Sequence, residues 1–314
     1  MLILSPARAS GPERTKGTMP CYHPMLAYRS REVNANGKRP ITFNPRDAYS
    51  DLTVTLPCGQ CIGCRLERSR QWAMRCVHEA SQHEDNVFIT LTFDQQNLDP
   101  SGSLQKADFQ KFMKRLRRST GIKIRYFHCG EYGEKFGRPH HHACLFGIDF
   151  PDKKLVKVIN GNNLYESEEL RNNWKLGNHT IGDVTFESAA YVARYITKKI
   201  TGDQAEAHYQ GKEPEYVTMS RRPGIAANWF ARYKTDVFPD DFVVVRNGII
   251  CKPPKFYLNQ LAEAELKPIK TKRATEARKR KDDNSLERLS VKEQVKYSRI
   301  KQLTRTYEHE TENI

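Results

Sequence analysis

The stretch that most restricts this chain is residues 122–147, IKIRYFHCGEYGEKFGRPHHHACLFG. Two apolar runs, 122–129 and 143–146, flank a polar centre that holds Gly130, Gly133 and Gly137. That pattern predicts two strands joined by a long turn, a β-hairpin. Arg138-Pro139 keeps the chain extended just ahead of His140-His141-His142, because the residue before a proline is steered away from helix. Side chains alternate along a strand, so His140 and His142 share one face and His141 takes the other. Two imidazoles about 7 Å apart on one strand face can share a divalent ion. Glu131 stands where the first strand ends and can add a carboxylate. Two histidines and a carboxylate leave coordination positions open, which a catalytic ion needs and a structural ion does not. The plain alternative is a surface histidine run. Against it, Ala143-Cys144-Leu145-Phe146 would embed the same strand in a core.

Charge narrows the partner. The 314 residues carry 52 Lys and Arg against 37 Asp and Glu, a net charge of +15. Such an excess is the electrostatic footprint of a phosphate-bearing partner. An acidic membrane surface is the rival, yet no basic helix with a rich apolar face stands out, and no run reaches the ~20 apolar residues of a membrane span. Met1-Leu2-Ile3-Leu4 is too short for the apolar core of a signal peptide. An intracellular protein without a membrane partner is expected. Three of the eight cysteines fall within residues 58–64. In a reducing compartment such clustering points to metal rather than disulfides.

Residues 1–18 are rich in Ser, Pro, Gly and basic residues without periodicity. They are expected to be a disordered extension, with Met19 an alternative start. Residues 19–84 form a cysteine-rich segment and a basic helix. The Cys58-x-x-Cys61-x-x-Cys64 spacing lets thiolates turn back on one ion, with Gly59 and Gly63 easing the backbone. A tetrahedral zinc site needs a fourth ligand; Cys21 is the first choice, with His23 and Cys76 as alternatives. Packed reduced thiols are the competing reading. A helix is expected over residues 65–83, with Leu66, Trp72, Ala73, Cys76 and Val77 near helical spacing. Its other face carries Arg65, Arg68, Arg70 and Arg75, either solvated or in contact with phosphates.

Residues 87–93, VFITLTF, make the clearest strand. Ser103 is placed to cap a helix over 104–118 whose apolar stripe is Phe109, Phe112, Met113 and Leu116. Lys111, Lys114, Arg115, Arg117 and Arg118 make its outer side basic. Strand, helix, hairpin is an α+β order, a central antiparallel sheet flanked by helices. Residues 148–178 read as polar with a short helix over 168–174, and 180–186 as a strand. A helix over 187–199 would end at Gly202. Its Tyr191 and Tyr195 lie one turn apart on one face, each followed three residues later by a cation, Arg194 and Lys198. A phenol with a pKa near 10 is a poor nucleophile until a cation or metal assists it. Ordinary core or surface aromatics are the alternative. Residues 216–225 suggest a strand leading into a helix through Trp229 and Phe230, and the Ser220-Arg221-Arg222-Pro223-Gly224 turn is either solvated or phosphate-binding. Asn247-Gly248 suits a hairpin over 242–250. Residues 257–314 read as a charged tail, helical or disordered.

The strand Phe88-Ile89-Thr90-Leu91-Thr92, the strand Pro139-His140-His141-His142 and the helix bearing Tyr191, Tyr195 and Lys198 occur in that order. Together they resemble the three motifs of the HUH endonuclease superfamily, in the two-tyrosine class of rolling-circle replication initiators. Met19-Pro20-Cys21-Tyr22-His23-Pro24 and residues 57–70 more closely resemble the replication initiators of gokushoviruses, single-stranded-DNA phages of the Microviridae. The motifs span about residues 87–199, and the finer likeness runs from Met19 to about Phe256. Two positions depart from the pattern. His141 occupies a place that is usually bulky and hydrophobic, and Arg194 stands where a lysine is usual.

The resemblance implies an HUH fold and a nickase domain over residues 85–256. It implies Mg²⁺ or Mn²⁺ held by His140, His142 and Glu131, with Glu134 as the fallback ligand. Tyr191 and Tyr195 would cut DNA, form a 5′-phosphotyrosine link and rejoin the displaced strand into circles, in an order left open. Lys198 would neutralise phosphate or protonate a leaving oxygen. Arg194, Lys199, Arg138, Arg68 and Lys114 would contact DNA. Single-stranded origin DNA, a host helicase and a host DNA polymerase are the expected partners, in the host cytoplasm. No GxxxxGK[ST] run is present, so no nucleotide cofactor is expected. The competing functions are a non-catalytic zinc-containing nucleic-acid-binding protein and a transposase or relaxase of the HUH kind.

Overall fold

The computed structural model describes residues 21–133, 136–159, 161–194, 200, 204–245 and 248–311, without the side chains of residues 194, 204 and 303–311. The expected extension 1–18 lies outside them, as do Glu134, Tyr195, Lys198 and Lys199. The chain forms two compact units. Ser69–Leu266 make a central unit, and Met19–Arg68 with Lys267–Ile314 make a terminal unit.

The terminal unit opens with β1 (Met25–Ser30), β2 (Ile41–Thr42) and β3 (Ala48–Leu56). They form an antiparallel sheet in the order β2-β1-β3. Helix α1 (Ile62–Ala80) follows and takes in Cys64, starting earlier than its apolar spacing suggests.

In the central unit β4 (Asn86–Thr92) leads to α2 (Lys106–Thr120), then the hairpin β5 (Arg125–Tyr132) and β6 (Pro139–Phe146). A second hairpin, β7 (Lys154–Ile159) and β8 (Asn162–Glu166), precedes α3 (Glu168–Asn173), β9 (His179–Asp183) and α4 (Phe186–Arg194). After α5 (Gln204–Tyr209) come β10 (Tyr216–Met219), α6 (Ala227–Val237), the short pair β11 (Val243–Val244) and β12 (Ile250–Cys251), and α7 (Lys255–Leu258). Seven strands form one antiparallel sheet in the order β10-β5-β6-β4-β9-β8-β7. The expected α+β class, a central antiparallel sheet flanked by helices, is the one observed.

Alternation decides which face each helix covers. Val87, Ile89 and Leu91 of β4 and Ala143 and Leu145 of β6 point to one side, where they pack with Phe109, Phe112, Met113 and Leu116 of α2 and with Trp174. Those four α2 residues follow helical spacing, so one stripe fills the core. Gly121, in the left-handed region at φ 68°, closes α2 by donating its N–H to the Arg117 carbonyl. The start of α2 differs from expectation. Ser103 does not cap it: its hydroxyl accepts the Glu213 N–H at 2.9 Å, and the helix begins after Gln105 without a side-chain cap.

Two other readings need correction. The polar stretch after Phe146 contains the β7–β8 hairpin. All six residues of β7 are exposed, so the strand lacks the buried face that would have given it a periodic signal. The strand expected over 180–186 stops at Asp183, and Phe186 joins α4.

Helices α8 (Glu263–Arg278) and α9 (Leu286–Thr311) end the chain, so the described part of the charged tail is largely helical. Within the terminal unit, Leu289 of α9 is buried against Tyr22 and Cys61. No helix among the described residues is long and apolar enough to cross a membrane.

Candidate functional site

The β5–β6 register brings the hairpin's polar residues together. Glu131 pairs opposite His140 and Cys129 opposite His142. On the other side of β6, Thr90 of β4 lies opposite His142. Alternation then places Phe127, Cys129 and Glu131 on the same face as His140, His142 and Cys144. Glu131 lies inside β5, which runs on to Tyr132. On this face Trp72 of α1 stacks on Phe127 with ring centres 4.9 Å apart.

One carboxylate oxygen serves both histidines. Glu131 Oε1 is 2.6 Å from His140 Nε2 and 3.0 Å from His142 Nε2. The opposite ring nitrogens are fixed by the surrounding strands. His140 Nδ1 lies 3.1 Å from the Arg138 carbonyl oxygen, and His142 Nδ1 lies 2.9 Å from Thr90 Oγ1. A carbonyl can only accept, so His140 Nδ1 carries a proton and donates it. In a neutral His140 the lone pair of Nε2 would then face a carboxylate, two acceptors in contact. A proton or a cation between them removes the conflict. Burial pushes the Glu131 carboxyl up, but the hydrogen bonds from His140 and His142 outweigh it and hold the group below its usual range. Glu131 is only 2% exposed, and its Oε2 is buried without a partner. One nitrogen or oxygen from each of Glu131, His140 and His142 lies within 4.8 Å of the others, so these residues could hold a metal ion. The oxygen and imidazole donors suit a hard or borderline divalent ion, and the orphaned Oε2 is a further position open to it.

Helix α4 delivers a tyrosine to this cluster. Ala189, Val192 and Ala193 are fully buried, and their small size lets the helix lie close to β5 and β6. Tyr191 therefore points at the histidines. Its hydroxyl donates to Glu131 Oε1 at 3.5 Å, and its ring meets His142 edge-on with centres 5.0 Å apart. Phe88 stacks on His142 at 5.7 Å and meets Tyr191 edge-on at 6.5 Å. Sequence reasoning named Tyr191 but missed Phe88 and Thr90 as supports. Their period-2 spacing on a clear strand was visible, but the register opposite His142 was not.

The second cluster lies in the terminal unit. The sulfurs of Cys21, Cys58, Cys61 and Cys64 all lie within 4.8 Å of one another and form no disulfides. The backbone donates to them: Cys58 N–H to Cys21 Sγ at 3.2 Å, Tyr22 N–H to Cys61 Sγ at 3.3 Å, and Cys61 N–H to Cys58 Sγ at 3.3 Å. Burial raises the Cys58 thiol, but the N–H groups of Cys61 and Gln60 outweigh it and bring it down to about 7. Four sulfurs with N–H donors favour thiolates and leave no open position, the chemistry of a closed structural metal site. Of the alternative fourth ligands, His23 bonds Glu293 at 2.7 Å, and Cys76 is buried beside Cys144.

The basic residues divide. Arg68 and Lys114 are exposed, but Lys114 sits on α2, which covers the sheet face opposite Glu131. Arg138 is engaged with the protein, donating to the Phe93 carbonyl at 3.0 Å and to Gln95 at 3.3 Å. The backbone of Arg194 ends α4, but its side chain lies outside the description. Two helix arginines depart from expectation. Arg70 donates to the Lys252 carbonyl, and Arg75 is buried between the rings of Trp72 and Phe256.

Known proteins share this segment. The family model of the replication-associated protein ORF2 matches residues 86–200. The replication-associated protein VP4 of Bdellovibrio phage phiMH2K is 34% identical over 252 residues, 76% of each chain. ORF2 of Spiroplasma virus 4 is 34% identical over 218 residues, 65% of this chain and 66% of the relative. The replication-associated protein ORF4 of Chlamydia phage 1 is 30% identical over 228 residues, 68% of this chain and 56% of the relative. The chain belongs to the replication-associated proteins of the Microviridae. No solved structure matches it. The family match runs from β4 to just beyond α4, so this replication-associated protein carries Glu131, His140, His142 and Tyr191 inside the shared segment.

Proposed function

We propose that this replication-associated protein initiates rolling-circle replication by nicking single-stranded origin DNA with tyrosine. The observation that carries the reading is the Tyr191 hydroxyl 3.5 Å from the carboxylate oxygen that both histidines share. Glu131, His140 and His142 would hold Mg²⁺ or Mn²⁺, which as a Lewis acid withdraws charge from the scissile phosphate and stabilises the charge that develops there. The chain does the rest. Arg138 and Thr90 orient the two imidazoles, a positioning role of the kind metal ligands need. Glu131 accepts the Tyr191 hydrogen bond and aims the phenol into the site.

In the reaction the phenol loses its proton as the phosphorus–tyrosine oxygen bond forms. The bond from phosphorus to the 3′ oxygen breaks, and that oxygen leaves as a 3′-hydroxyl carrying a proton. Lys198 is placed by sequence to supply it or to neutralise phosphate. The 5′-phosphotyrosine conserves the phosphodiester bond energy, so rejoining needs no nucleotide. Tyr195, one helical turn further on, is the second nucleophile that lets the displaced strand close into a circle. A host DNA polymerase extends the 3′-hydroxyl and a host helicase unwinds the duplex, in the host cytoplasm. The four cysteines hold a structural zinc ion in this reading, and the basic surface adds affinity that falls with salt.

The test is cleavage of labelled single-stranded origin DNA with Mn²⁺, Mg²⁺ or EDTA. Wild type is compared with Tyr191→Phe, Tyr195→Phe, the double variant and His140→Ala. A metal-dependent covalent protein–DNA adduct is expected, absent from the double variant. Tight binding of authentic origin DNA without any adduct would turn the reading to a non-catalytic DNA-binding protein.

A further inference from the structure

Three buried charged side chains of the central unit hold a single surface turn. Arg125 Nη2 donates to the carbonyls of Pro223 at 3.0 Å and Gly224 at 3.3 Å. Arg75 donates through Nε and Nη2 to the Ile225 carbonyl at 3.1 and 2.9 Å. Glu79 accepts the Ala226 N–H and pairs with Arg125. At the strand end, Ser220 N–H donates to the Tyr126 carbonyl at 3.0 Å, and Tyr126 N–H returns a bond to Ser220 Oγ at 3.1 Å. Gly224 packs against Phe256 so closely that a Cβ there would lie 3.1 Å from the ring. The residues carried at the tip of this clamped turn are Arg221 and Arg222. Both are exposed, and neither pairs with any described residue.

Inward arginines satisfied by carbonyls and outward arginines left unpaired make an unusual contrast. A backbone ordered in advance removes entropy that a ligand would otherwise have to overcome on binding. A fixed turn with two such guanidinium groups is preorganised for paired phosphate oxygens. Its position fits the substrate. Arg125 and Glu131 stand on the same face of β5, about 20 Å apart along the strand. That span matches roughly six stacked nucleotides at ~3.4 Å each.

We propose that Arg221 and Arg222 form a phosphate-binding turn for the single-stranded DNA running to or from the cut. This deepens the nickase reading and rests on it for the identity of the ligand. The turn contributes affinity and holds the strand at a distance from the reacting phosphate, without touching that phosphate.

The test measures binding of a labelled single-stranded origin oligonucleotide across a series of salt concentrations. Each single-strand phosphate contact contributes about 0.7 to the slope of log affinity against log salt. Arg221→Ala with Arg222→Ala is therefore expected to reduce the slope by about 1.4. The pair Lys154→Ala with Lys157→Ala, on exposed β7, removes the same charge and should leave the slope unchanged. Trimming one arm of the oligonucleotide to about three nucleotides from the cut should erase the difference between wild type and the arginine variant. An unchanged slope in the arginine variant, an equal fall in the lysine variant, or a difference that survives trimming of either arm would each overturn the proposal. Adduct formation by wild type is scored on the same oligonucleotide. Adduct with an unchanged slope removes only the phosphate-binding turn. A reduced slope without adduct keeps the turn and removes the nickase.

Discussion

Replacing Glu131 with glutamine should invert the order of stability when a divalent ion is added. Glu131 Oε1 and His140 Nε2 meet at 2.6 Å, with His140 Nδ1 committed to the Arg138 carbonyl. Without metal, wild type must place a proton between a buried carboxylate and an imidazole. Glutamine keeps the shape and turns its amide N–H toward that lone pair, so Glu131→Gln should match wild type within ~1 kcal/mol in EDTA. With Mn²⁺ at 100 times its dissociation constant, wild type gains about 2.7 kcal/mol by linkage. Glutamine offers a neutral oxygen in place of the anion and loses most of that gain. For a unit of about 200 residues, each kcal/mol moves Tm by roughly 2–4 °C. Wild type should therefore melt about 5–10 °C higher in Mn²⁺ than in EDTA, and Glu131→Gln should barely move. Tryptophan fluorescence reports this directly, because Trp72, Trp174 and Trp229 all fall within Ser69–Leu266. Loss of metal from the cysteine cluster is common to both proteins and cancels in the comparison. Equal stabilisation of the two by Mn²⁺, or none in wild type at millimolar ion, would rule out Glu131 as the anionic ligand.

Two further outcomes are expected. The purified protein should contain one zinc ion per chain by atomic absorption; Cys61→Ser should lose it and speed amide exchange in β1, β3 and α9, whereas zinc retained by that variant would rule out the four-sulfur site. His78 is buried, stacks on Trp229 at 3.6 Å, and has its pKa lowered to about 4 by desolvation. The folded state thus binds the proton more weakly than the unfolded chain, whose pKa is near 6.5. Stability is fully present above pH 6.5 and falls as pH drops toward 4, by about 3 kcal/mol from this group. Denaturant melts across that range should show a slope shallower by about one proton in His78→Gln, and an unchanged slope would remove His78 as the cause.

The site was partly legible because its chemistry is packed into one hairpin. Pro139 and strict alternation assign His140 and His142 to one face whatever the rest of the fold does. Tyr191 reached the same place through helical spacing and a resemblance, since nothing local links it to residues sixty positions earlier. Register was not legible. Period 2 gives faces but not which residue of β4 lies across from His142, so the Thr90 contact could not be foreseen. Charge misled on α1. Arg70 and Arg75 read as a solvated face because burying a guanidinium needs partners that only tertiary structure supplies, here the carbonyls of Lys252 and Ile225. The β7–β8 hairpin escaped for the opposite reason, having no buried side to impose a pattern.

His141 shows why one departure from the motif is tolerated. It points away from the metal ligands, is fully buried, and meets Phe93 and Trp174 edge-on at 5.7 and 5.8 Å. Its Nδ1 lies 3.2 Å from His128 Nε2, and His128 Nδ1 lies 2.8 Å from Thr218 Oγ1. Desolvation holds His141 down to about 3 and His128 well below its usual value, so both are neutral near pH 7 and one proton is shared between facing nitrogens. This polar chain ties β6, β5 and β10 together directly behind Glu131 and His140, where a bulky apolar residue would only fill space. Replacing one partner should therefore hurt more than replacing both. His141→Leu leaves His128 Nε2 buried and unpaired, at a cost of about 1–3 kcal/mol. In His128→Leu with His141→Leu, only the half-buried Thr218 hydroxyl remains, and it can turn to water. The double variant should recover most of the loss in denaturant melts. A single His141→Leu variant as stable as wild type would mean that the histidine pair does not set the register behind the site.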